Sequence, residues 1–542
     1  MQTSSIIANR DVAGPGLIVA KSPADGSELA RVPALDEEGL RGAVHAAKQA
    51  FPAWSATSFA ERQRLLGRWL SIMVAEEASL SELIAREGGK PVAEALLVDV
   101  FPACEVLSFL TRRLHRLLAP EAIRPEQVLF AHWRAGYRYE ALGVIGIISP
   151  WNYPVGIPVN GIAAAVAAGN SVVFKPASAT VLVGLALADM ARRAGFPPGV
   201  INAVALPGRA TDALVDHPDV AKVVFTGSVG IGRRVAQRAA ARLAPVQLEL
   251  GGKDAAVVAR DADTERTARG LVWGAFMNTG QTCASIERCY VEAPLFEPLL
   301  ARIVALTREL RVGDPLAPDT DIGPMTTAEQ RDVVAAHVRQ ALAAGARALT
   351  GGAAPEGTGN YFPPTVLVDV NEDMEVMREE TFGPVLPLVP VADLHEGIAR
   401  ANASRFGLTA SGWTRSRATA DRLIRGLRAG VVSINDHAVP FAEATGAWGG
   451  LGESGIGRTH GRFGMLEMCN IKYTAADLGR DRAAPWYYPY DRDFARFVRV
   501  AMPALYARGA QKVRALLQLT ATRRFRQRVR KGTIAANAHK LL

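Results

Sequence analysis

Several residues in this chain sit in settings where their chemistry could be put to use. The run GQTCASIERC, from Gly280 to Cys289, places Cys283 and Cys289 six positions apart in a chain with only four cysteines. Such a pair can clip a metal, close a disulfide, fill a core or supply a thiolate nucleophile. No CxxC pair occurs and the nine histidines do not cluster near the cysteines, which argues against a metal site. Glu249, in LELGGKD, lies in an apolar run beside a Gly-Gly pair. Burial would raise its pKa and suit it to general-base work near neutrality; a capping or ion-paired glutamate is the alternative. Asn152 sits in PWNYP, a loop fixed by Pro150 and Pro154. Its amide could donate to a developing oxyanion, or simply close an Asx-turn. Lys175 ends the run SVVFKP, at the strand edge where open α/β sheets bind ligands, although a surface lysine would read the same way. Gly227, Gly230 and Gly232 open a helix straight after KVVFTG. Free N–H groups and the helix dipole there suit a phosphate. The spacing is not GxGxxG, and a tight βα turn needs no more than this.

The elements that must hold these residues can be read from hydrophobic periodicity. SPADGSEL, within the first 40 residues, separates two short apolar runs and predicts a surface hairpin. Helical spacing dominates from Asp36 to Leu118. A strand follows around 131–140, then the buried strand LGVIGIIS. SVVFKP, a helix over Gly184–Gly195, VINAVAL, a helix over Ala210–Val215, KVVFTG and a helix from Val229 alternate after it. That alternation predicts parallel βαβ units in a doubly wound sheet. A second alternating stretch, 250–430, contains AAVVA, RCYVEA and TVLVDV, with GVVSIN at its end, and predicts a second α/β domain. The totals agree with a globular enzyme: 542 residues, 49% hydrophobic and 21% charged. The N-terminus reads as no secretory signal, no apolar run reaches about 18 residues, and four cysteines in so long a chain point to a reducing, cytoplasmic setting.

PWNYP, GNSVVFKPAS, FTGSVGIG, LELGGK, NTGQTC, EETFGPV and WGGLGESGIGRTHG follow one another in that order. The series resembles the NAD(P)-dependent aldehyde dehydrogenase superfamily over roughly residues 15–475. The resemblance implies an α/β fold with a Rossmann-type cofactor domain (1–125 and 141–250), a catalytic domain (251–432) and a small oligomerisation β-element with its return segment (126–140 and 433–479). It implies Cys283 as nucleophile, Asn152 and the Cys283 backbone N–H as oxyanion donors, and Glu249 as the base that hydrolyses a thioester. Lys175 would bond the adenosine ribose. Gly227, Ser228 and Gly232 would sit at the pyrophosphate, Glu380 at the nicotinamide ribose, with Phe382 and Trp151 beside the ring. Ser178 stands three residues beyond Lys175, where NAD-preferring members often carry a glutamate, so NADP should be tolerated and could be preferred. A homodimer or homotetramer is the usual assembly. A CoA-acylating enzyme is disfavoured by the presence of Glu249, and a non-catalytic scaffold of the same fold by Cys283, Glu249 and Asn152 together.

For the substrate, members acting on succinate semialdehyde tend to carry arginines where this chain has Met277 and the helix segment VGIPVNG, with Asn160. Met277 and Trp273 instead suit an apolar, medium- or long-chain or aromatic aldehyde, unless both are core; a semialdehyde is the alternative. Cys289 reads as a buried filler at the start of the strand RCYVEA, a disulfide with Cys283 being the oxidative alternative.

The last 63 residues stand apart. Residues 480–542 hold 15 basic and 3 acidic residues, whereas the rest of the chain is slightly acidic. Phe494, Phe497, Val498, Ala501 and Leu505 follow helical spacing with Arg492, Arg496 and Arg499 interleaved, and Pro503 should end or kink that helix. Val513, Leu516, Leu517 and Thr520 predict a second apolar face, before the basic cluster TRRFRQRVRKG. Residues 485–542 thus read as a basic amphipathic extension for an anionic membrane surface, or as a helix docked on a partner subunit. Nucleic acid fits less well, since Phe525 is the one stacking aromatic in the cluster.

Overall fold

The computed structural model describes residues 2–127, 130, 133–478, 487–488 and 490–522. The chain divides into two compact units, Met1–Leu117 with Ala141–Cys469, and Leu118–Glu140 with Asn470–Leu542.

The first unit is built on two sheets. In the eight-stranded sheet, five strands run parallel: Val246–Glu249, Val220–Thr226, Val144–Ile148, Ser171–Lys175 and Ile201–Ala203. Gly455–Ile456 closes one edge antiparallel, and Ser5–Ile7 with Arg10–Val12 closes the other. VIGII and SVVFK are buried along their whole length, as strands covered on both faces must be. The helix Gly156–Ala168 is apolar almost all round for the same reason; Asn160 is its one polar side chain and is buried too. Val144–Ile148 lies between a strand that follows it immediately in sequence and one that follows later, so the sheet order reverses there. The carboxyl ends of Val144–Ile148 and Val220–Thr226 flank that crevice, where open α/β sheets take their ligands. The seven-stranded sheet carries six parallel strands, Thr365–Val368, Val385–Val391, Ile286–Glu292, Asp254–Val258, Thr409–Trp413 and Val431–Ile434, with Arg347–Thr350 antiparallel at one edge.

Some expected boundaries move. The helix expected over Gly184–Gly195 starts at Val181 and ends at Ala194, and the one expected over Ala210–Val215 runs Thr211–Asp216 after a single 3₁₀ turn. Cys289 lies in the middle of Ile286–Glu292, not at its start, and is fully buried. Residues 118–125 belong with the second unit, because Glu121–Ile123 pairs with Arg134–Ala141. The segment 433–479 divides at Cys469, because Gly455–Ile456 joins the eight-stranded sheet through Leu248 and Glu249.

The second unit holds a three-stranded sheet, with Cys469–Ala476 at one edge, and two helices, Arg492–Tyr506 and Gly509–Thr520. Pro503 does not end the first helix. It sits in the last turn, and the chain stays helical for three more residues. Phe497, Ala501 and Ala504 pack against Ala515, Leu519 and Leu516. Of the positions expected on apolar faces, Phe497, Ala501 and Leu516 pack, whereas Val498, Val513 and Leu517 are exposed, as are Met502 and Tyr506. The basic cluster after Thr522, with Phe525, lies outside the described residues.

Candidate active site

Cys283 is carried by a strained, clamped loop. After the helix Thr264–Phe276 the chain makes one short turn, Met277–Gly280, in which Asn278 (φ 52°) and Thr279 (φ 54°) are left-handed. A β-branched residue at positive φ costs about 1–3 kcal/mol and persists only where its surroundings hold it. Here they do. The Asn278 N–H donates to Glu94 Oε1 at 2.7 Å, its Nδ2 donates to the carbonyls of Asn152 (2.9 Å) and Gln281 (3.1 Å), and the Thr279 hydroxyl donates to the Gly323 carbonyl at 3.0 Å. At Gly280 (φ 69°) a Cβ would lie 2.1 Å from the Gly383 carbonyl oxygen, so only glycine fits. On the far side of Cys283, His437 Nε2 donates to the Ala284 carbonyl at 2.7 Å; burial holds this imidazole neutral, pushed down to about 4. Burial, reinforced by the carboxyls of Glu249, Asp254 and Glu380, lifts the Cys283 thiol well above its ordinary value. The free enzyme therefore keeps a neutral thiol.

Asn152 follows the strand Val144–Ile148. Its Nδ2 donates one hydrogen to the Gln281 carbonyl at 2.9 Å, two residues before Cys283, which leaves a second N–H on the same amide. The loop is held from behind by charges the sequence had hidden. Lys90 Nζ donates to the Asn152 carbonyl (3.0 Å) and to Asp99 Oδ2 (3.3 Å), and lies 3.9 Å from the Tyr153 ring centroid. Asp99 Oδ1 accepts from the N–H groups of Val155 and Gly156 at 3.1 and 2.6 Å. Glu249 ends the strand Val246–Glu249 and is 7% exposed, and its Oε1 has no hydrogen-bond partner. Burial pushes its carboxyl up to about 8, against the opposing pull of Arg458 and the Trp448 side chain.

Two cavities meet at Cys283. One, of about 390 Å³, is bordered by Trp151, Gly227, Ser228, Glu249, Glu380 and Phe382. Gly227 and Ser228 connect the strand Val220–Thr226 to the helix Val229–Ala240, whose first turn has no side-chain cap. The Trp151 and Phe382 rings meet edge-on at 5.5 Å. The loop bearing Glu380 and Phe382 is fixed by Glu287, which accepts from the N–H groups of Thr381 (2.7 Å) and Phe382 (2.9 Å) and pairs with buried Lys253. Glu380 accepts from the Gly252 N–H at 3.0 Å, and burial pushes its carboxyl up to about 8. Lys175 is 5% exposed, pushed down to about 8 by burial, and Ser178 begins the short turn after it; neither borders this cavity. Gly232 does not border it either. A Cβ there would lie 2.4 Å from Leu250 Cδ2, so this glycine lets its helix pack closely on Leu250. Uncapped helix N–H groups beside a strand edge suit a pyrophosphate, and a buried carboxyl opposite them suits ribose hydroxyls, so these residues fit a nicotinamide dinucleotide.

The second cavity, of about 220 Å³, is apolar apart from the hydroxyls of Tyr153 and Thr282. Trp273 and Met277 both border it, facing Leu97, Phe101, Phe441 and Trp448. Leu97 lies within the π-turn Leu96–Val100 and Phe101 follows it directly in the helical stretch.

A half-buried thiol reached from one side by a dinucleotide-shaped cleft and from the other by an apolar cavity defines a two-substrate oxidoreductase site. The chain belongs to the aldehyde dehydrogenase family, whose model matches residues 13–474. It is 38% identical to betaine aldehyde dehydrogenase 1 of Rhizobium meliloti (strain 1021), over 86% of this chain and 95% of that protein. It is 37% identical to 4,4'-diapolycopene aldehyde oxidase of Methylomonas sp., over 87% and 88%. Among solved structures, an NADP-dependent enzyme of E. coli superposes with a TM-score of 0.85 at 34% identity, covering 88% of this chain and 98% of that one. The protein is an NAD- or NADP-dependent aldehyde dehydrogenase.

Sequence reasoning missed Lys90, Glu94 and Asp99, Lys253 with Glu287, and His437. The pair Lys253 and Glu287 carried a signal, since each is a charge inside or beside an apolar strand. The other four had none that local pattern could separate from a solvated helix face or a loop.

Proposed function

We propose that the enzyme oxidises an apolar aldehyde to its carboxylic acid through covalent attachment to Cys283. The observation that carries this reading is the position of Cys283 at the junction of the dinucleotide cleft and a cavity bordered by aliphatic and aromatic side chains. The Cys283 thiol first loses its proton to water, and the thiolate so formed adds to the aldehyde carbon. The free N–H of Asn152 and the Cys283 backbone N–H stabilise the oxyanion. A nicotinamide held beside Trp151, Glu380 and Phe382 would supply the hydride acceptor, and loss of hydride leaves the acyl group on Cys283 as a thioester. Glu249 then takes a proton from water, the hydroxide adds to the thioester carbon, and collapse expels the Cys283 thiolate. Residues 1–250, less the bridging strand, would serve the cofactor and 251–432 the substrate. Lys175 and Ser178 would reach the adenosine end, where the absence of a carboxylate at Ser178 favours tolerance of NADP.

A second reading, betaine aldehyde, draws on the name of the Rhizobium relative and on the five aromatic rings at the cavity, Phe101, Tyr153, Trp273, Phe441 and Trp448, which could face a quaternary ammonium. No carboxylate borders that cavity to pair with the cation, and the Methylomonas relative is named for a polyene aldehyde. A kinetic panel of nonanal, benzaldehyde, succinate semialdehyde and betaine aldehyde against NAD⁺ and NADP⁺ decides the matter. We expect kcat/KM at least tenfold higher for the first two. Preference for betaine aldehyde would replace the apolar reading with the second.

For partners, we place the contact of a homodimer or homotetramer on the edge strand Cys469–Ala476, which exposes Ile471 and Tyr473; light scattering reads the assembly. We also assign the C-terminal extension to an anionic membrane surface, with the enzyme otherwise cytoplasmic. The exposed Val498, Met502, Tyr506, Val513 and Leu517 lie among a 12-unit excess of positive charge over 480–542. Among the described residues no helix is long and apolar enough to cross a membrane. Deleting 487–542 should abolish sedimentation with phosphatidylserine vesicles and leave turnover of a soluble aldehyde intact; retained sedimentation would refute the assignment.

A further inference from the structure

An oxyanion hole made by Asn152 and the Cys283 N–H is assembled from two loops. Asn152 belongs to the loop after the strand Val144–Ile148, and Cys283 to the loop after Met277–Gly280. Hydrogen bonds join the loops to each other. Asn152 Nδ2 donates to the Gln281 carbonyl at 2.9 Å, Asn278 Nδ2 donates to the Asn152 carbonyl at 2.9 Å, and the Tyr153 and Thr282 hydroxyls lie 2.7 Å apart. These bonds keep one loop in register with the other. They fix neither loop to the body of the protein.

That fixing comes from one short stretch, residues 90–99. Lys90 Nζ donates to the Asn152 carbonyl at 3.0 Å. Asp99 Oδ1 accepts from the N–H groups of Val155 and Gly156 at 3.1 and 2.6 Å, further along the same loop. Glu94 Oε1 accepts from the Asn278 N–H at 2.7 Å, on the other loop. One stretch therefore grips both halves of the hole. Of the two donors to the Asn152 carbonyl, Asn278 travels with the nucleophile loop and Lys90 does not. Lys90 is 3% exposed and Asp99 is fully buried. The ammonium has three hydrogens and three partners: the Asn152 carbonyl, Asp99 Oδ2 at 3.3 Å, and the Tyr153 ring, whose centroid is 3.9 Å away. Burial opposes this charge, and Asp99 and Glu94 favour it. A buried polar network with every member engaged is rigid, and rigidity is what a donor aimed at a developing charge requires. Lys90 borders neither cavity, so it reaches the reaction only through Asn152 and Tyr153.

We propose that Lys90, locked in place by Asp99, is the positioning residue of the oxyanion hole. It holds the Asn152 amide against Cys283 and thereby sets the rate of the steps up to hydride loss. It contacts neither the aldehyde nor the dinucleotide. The inference rests on Asn152 acting as the oxyanion donor. No bond to Lys90 forms or breaks in the reaction.

The test is a double-mutant cycle on the full-length enzyme, read as the first-turnover rate of reduced-nicotinamide formation with NAD⁺ and benzaldehyde. The variant is Lys90→Met with Asp99→Asn. It leaves no unpaired charge in the interior, and the new amide oxygen still accepts from Val155 and Gly156. An ångström of misplacement costs about 10²-fold. We expect the first-turnover rate to fall at least tenfold, with the NAD⁺ dissociation constant within twofold of wild type. In an Asn152→Ala background the same pair of changes should move the rate less than twofold, because no amide is left to position. A fall of less than tenfold in the Asn152 enzyme overturns the proposal. So does a fall of more than twofold in the Asn152→Ala background, or loss of the wild-type circular dichroism spectrum, since either marks a general structural role. Weakened NAD⁺ binding overturns it as well. Asn152→Ala alone separates the two layers: if it costs less than tenfold, the oxyanion assignment fails and the positioning role fails with it. If it costs more while the Lys90 and Asp99 variant reacts as wild type, the positioning role alone is wrong.

Discussion

Gly280→Ala should cripple turnover although it removes no functional group. Two costs act at once. The φ of 69° is a conformation in which alanine loses about 1–2 kcal/mol. The new Cβ would also stand 2.1 Å from the Gly383 carbonyl oxygen, where ordinary contact begins near 3.4 Å, so one loop must retreat by about 1.3 Å. Either loop is critical. Gly280 lies three residues before Cys283, and Gly383 follows Phe382 and Glu380 at the dinucleotide cleft. Misplacement by an ångström of a reacting group costs about 10²-fold in rate. We therefore expect kcat to fall by about 10²-fold, with the KM for the dinucleotide raised as well, while circular dichroism stays unchanged and the melting midpoint drops by a few degrees. The comparison is Gly42→Ala, in the helix Glu37–Ser55, where an added Cβ meets open space and helix propensity favours alanine by about 0.5–1 kcal/mol. That variant should be as active as wild type and no less stable. Absorbance at the reduced-nicotinamide band reads both. Wild-type kcat in Gly280→Ala would refute the claim that this backbone contact sets the distance between nucleophile and cofactor.

Three further outcomes follow from the same geometry. Glu287→Gln leaves the Lys253 ammonium buried without its partner and turns a donor toward the N–H groups of Thr381 and Phe382; it should cost about 3–5 kcal/mol in denaturant unfolding and weaken dinucleotide binding in titration calorimetry. With Glu249 as the proposed base, hydrolysis of the proposed thioester should climb about tenfold per pH unit from 6 toward 8 and flatten above; a plateau beginning at pH 6 would contradict the raised value. The linkage sign is opposite for stability: the folded state holds this proton between about 4.5 and 8 and the unfolded chain does not, so this group's contribution to stability falls as pH rises through that window. Ser178→Glu should shift the NADP⁺ to NAD⁺ ratio of kcat/KM at least tenfold toward NAD⁺, and an unchanged ratio would remove Ser178 from the adenosine end.

The sequence located the reacting groups better than the structure that holds them. Cys283, Glu249 and Asn152 could be proposed as reacting groups because their motifs occur in order, and the two sheets could be read because buried parallel strands leave apolar runs such as VIGII. Gly232 shows a limit of the one-dimensional reading: a glycine that admits a ligand and one that admits Leu250 look identical there. Lys90, Glu94 and Asp99 lie in a stretch read as amphipathic helix, where charge normally faces water. Their partners, Asn152 and Asn278, stand 62 and 184 residues away, and only tertiary contact reveals that these charges are interior. The packed face of the C-terminal helices was legible in part: Phe497, Ala501 and Leu516 lie on it as expected, while Ala504 and Ala515 were missed because they are small, and close approach of two helices selects them over Val513 and Leu517.

Much of the wall of the apolar cavity comes from segments away from the reacting groups, although Tyr153, Thr282, Cys283 and Ala284 border it as well. Leu97 and Phe101 belong to one helical stretch, Trp273 to the end of another, and Val439, Phe441 and Ala442 to a late loop, whereas Glu249 ends one strand and Asn152 follows another. Selection can therefore recut what the enzyme accepts without retuning how it reacts. A library confined to positions 97, 101, 273 and 439 is the shortest route to a new substrate range from this scaffold, and relatives with differently named substrates are what such a division of labour would leave behind.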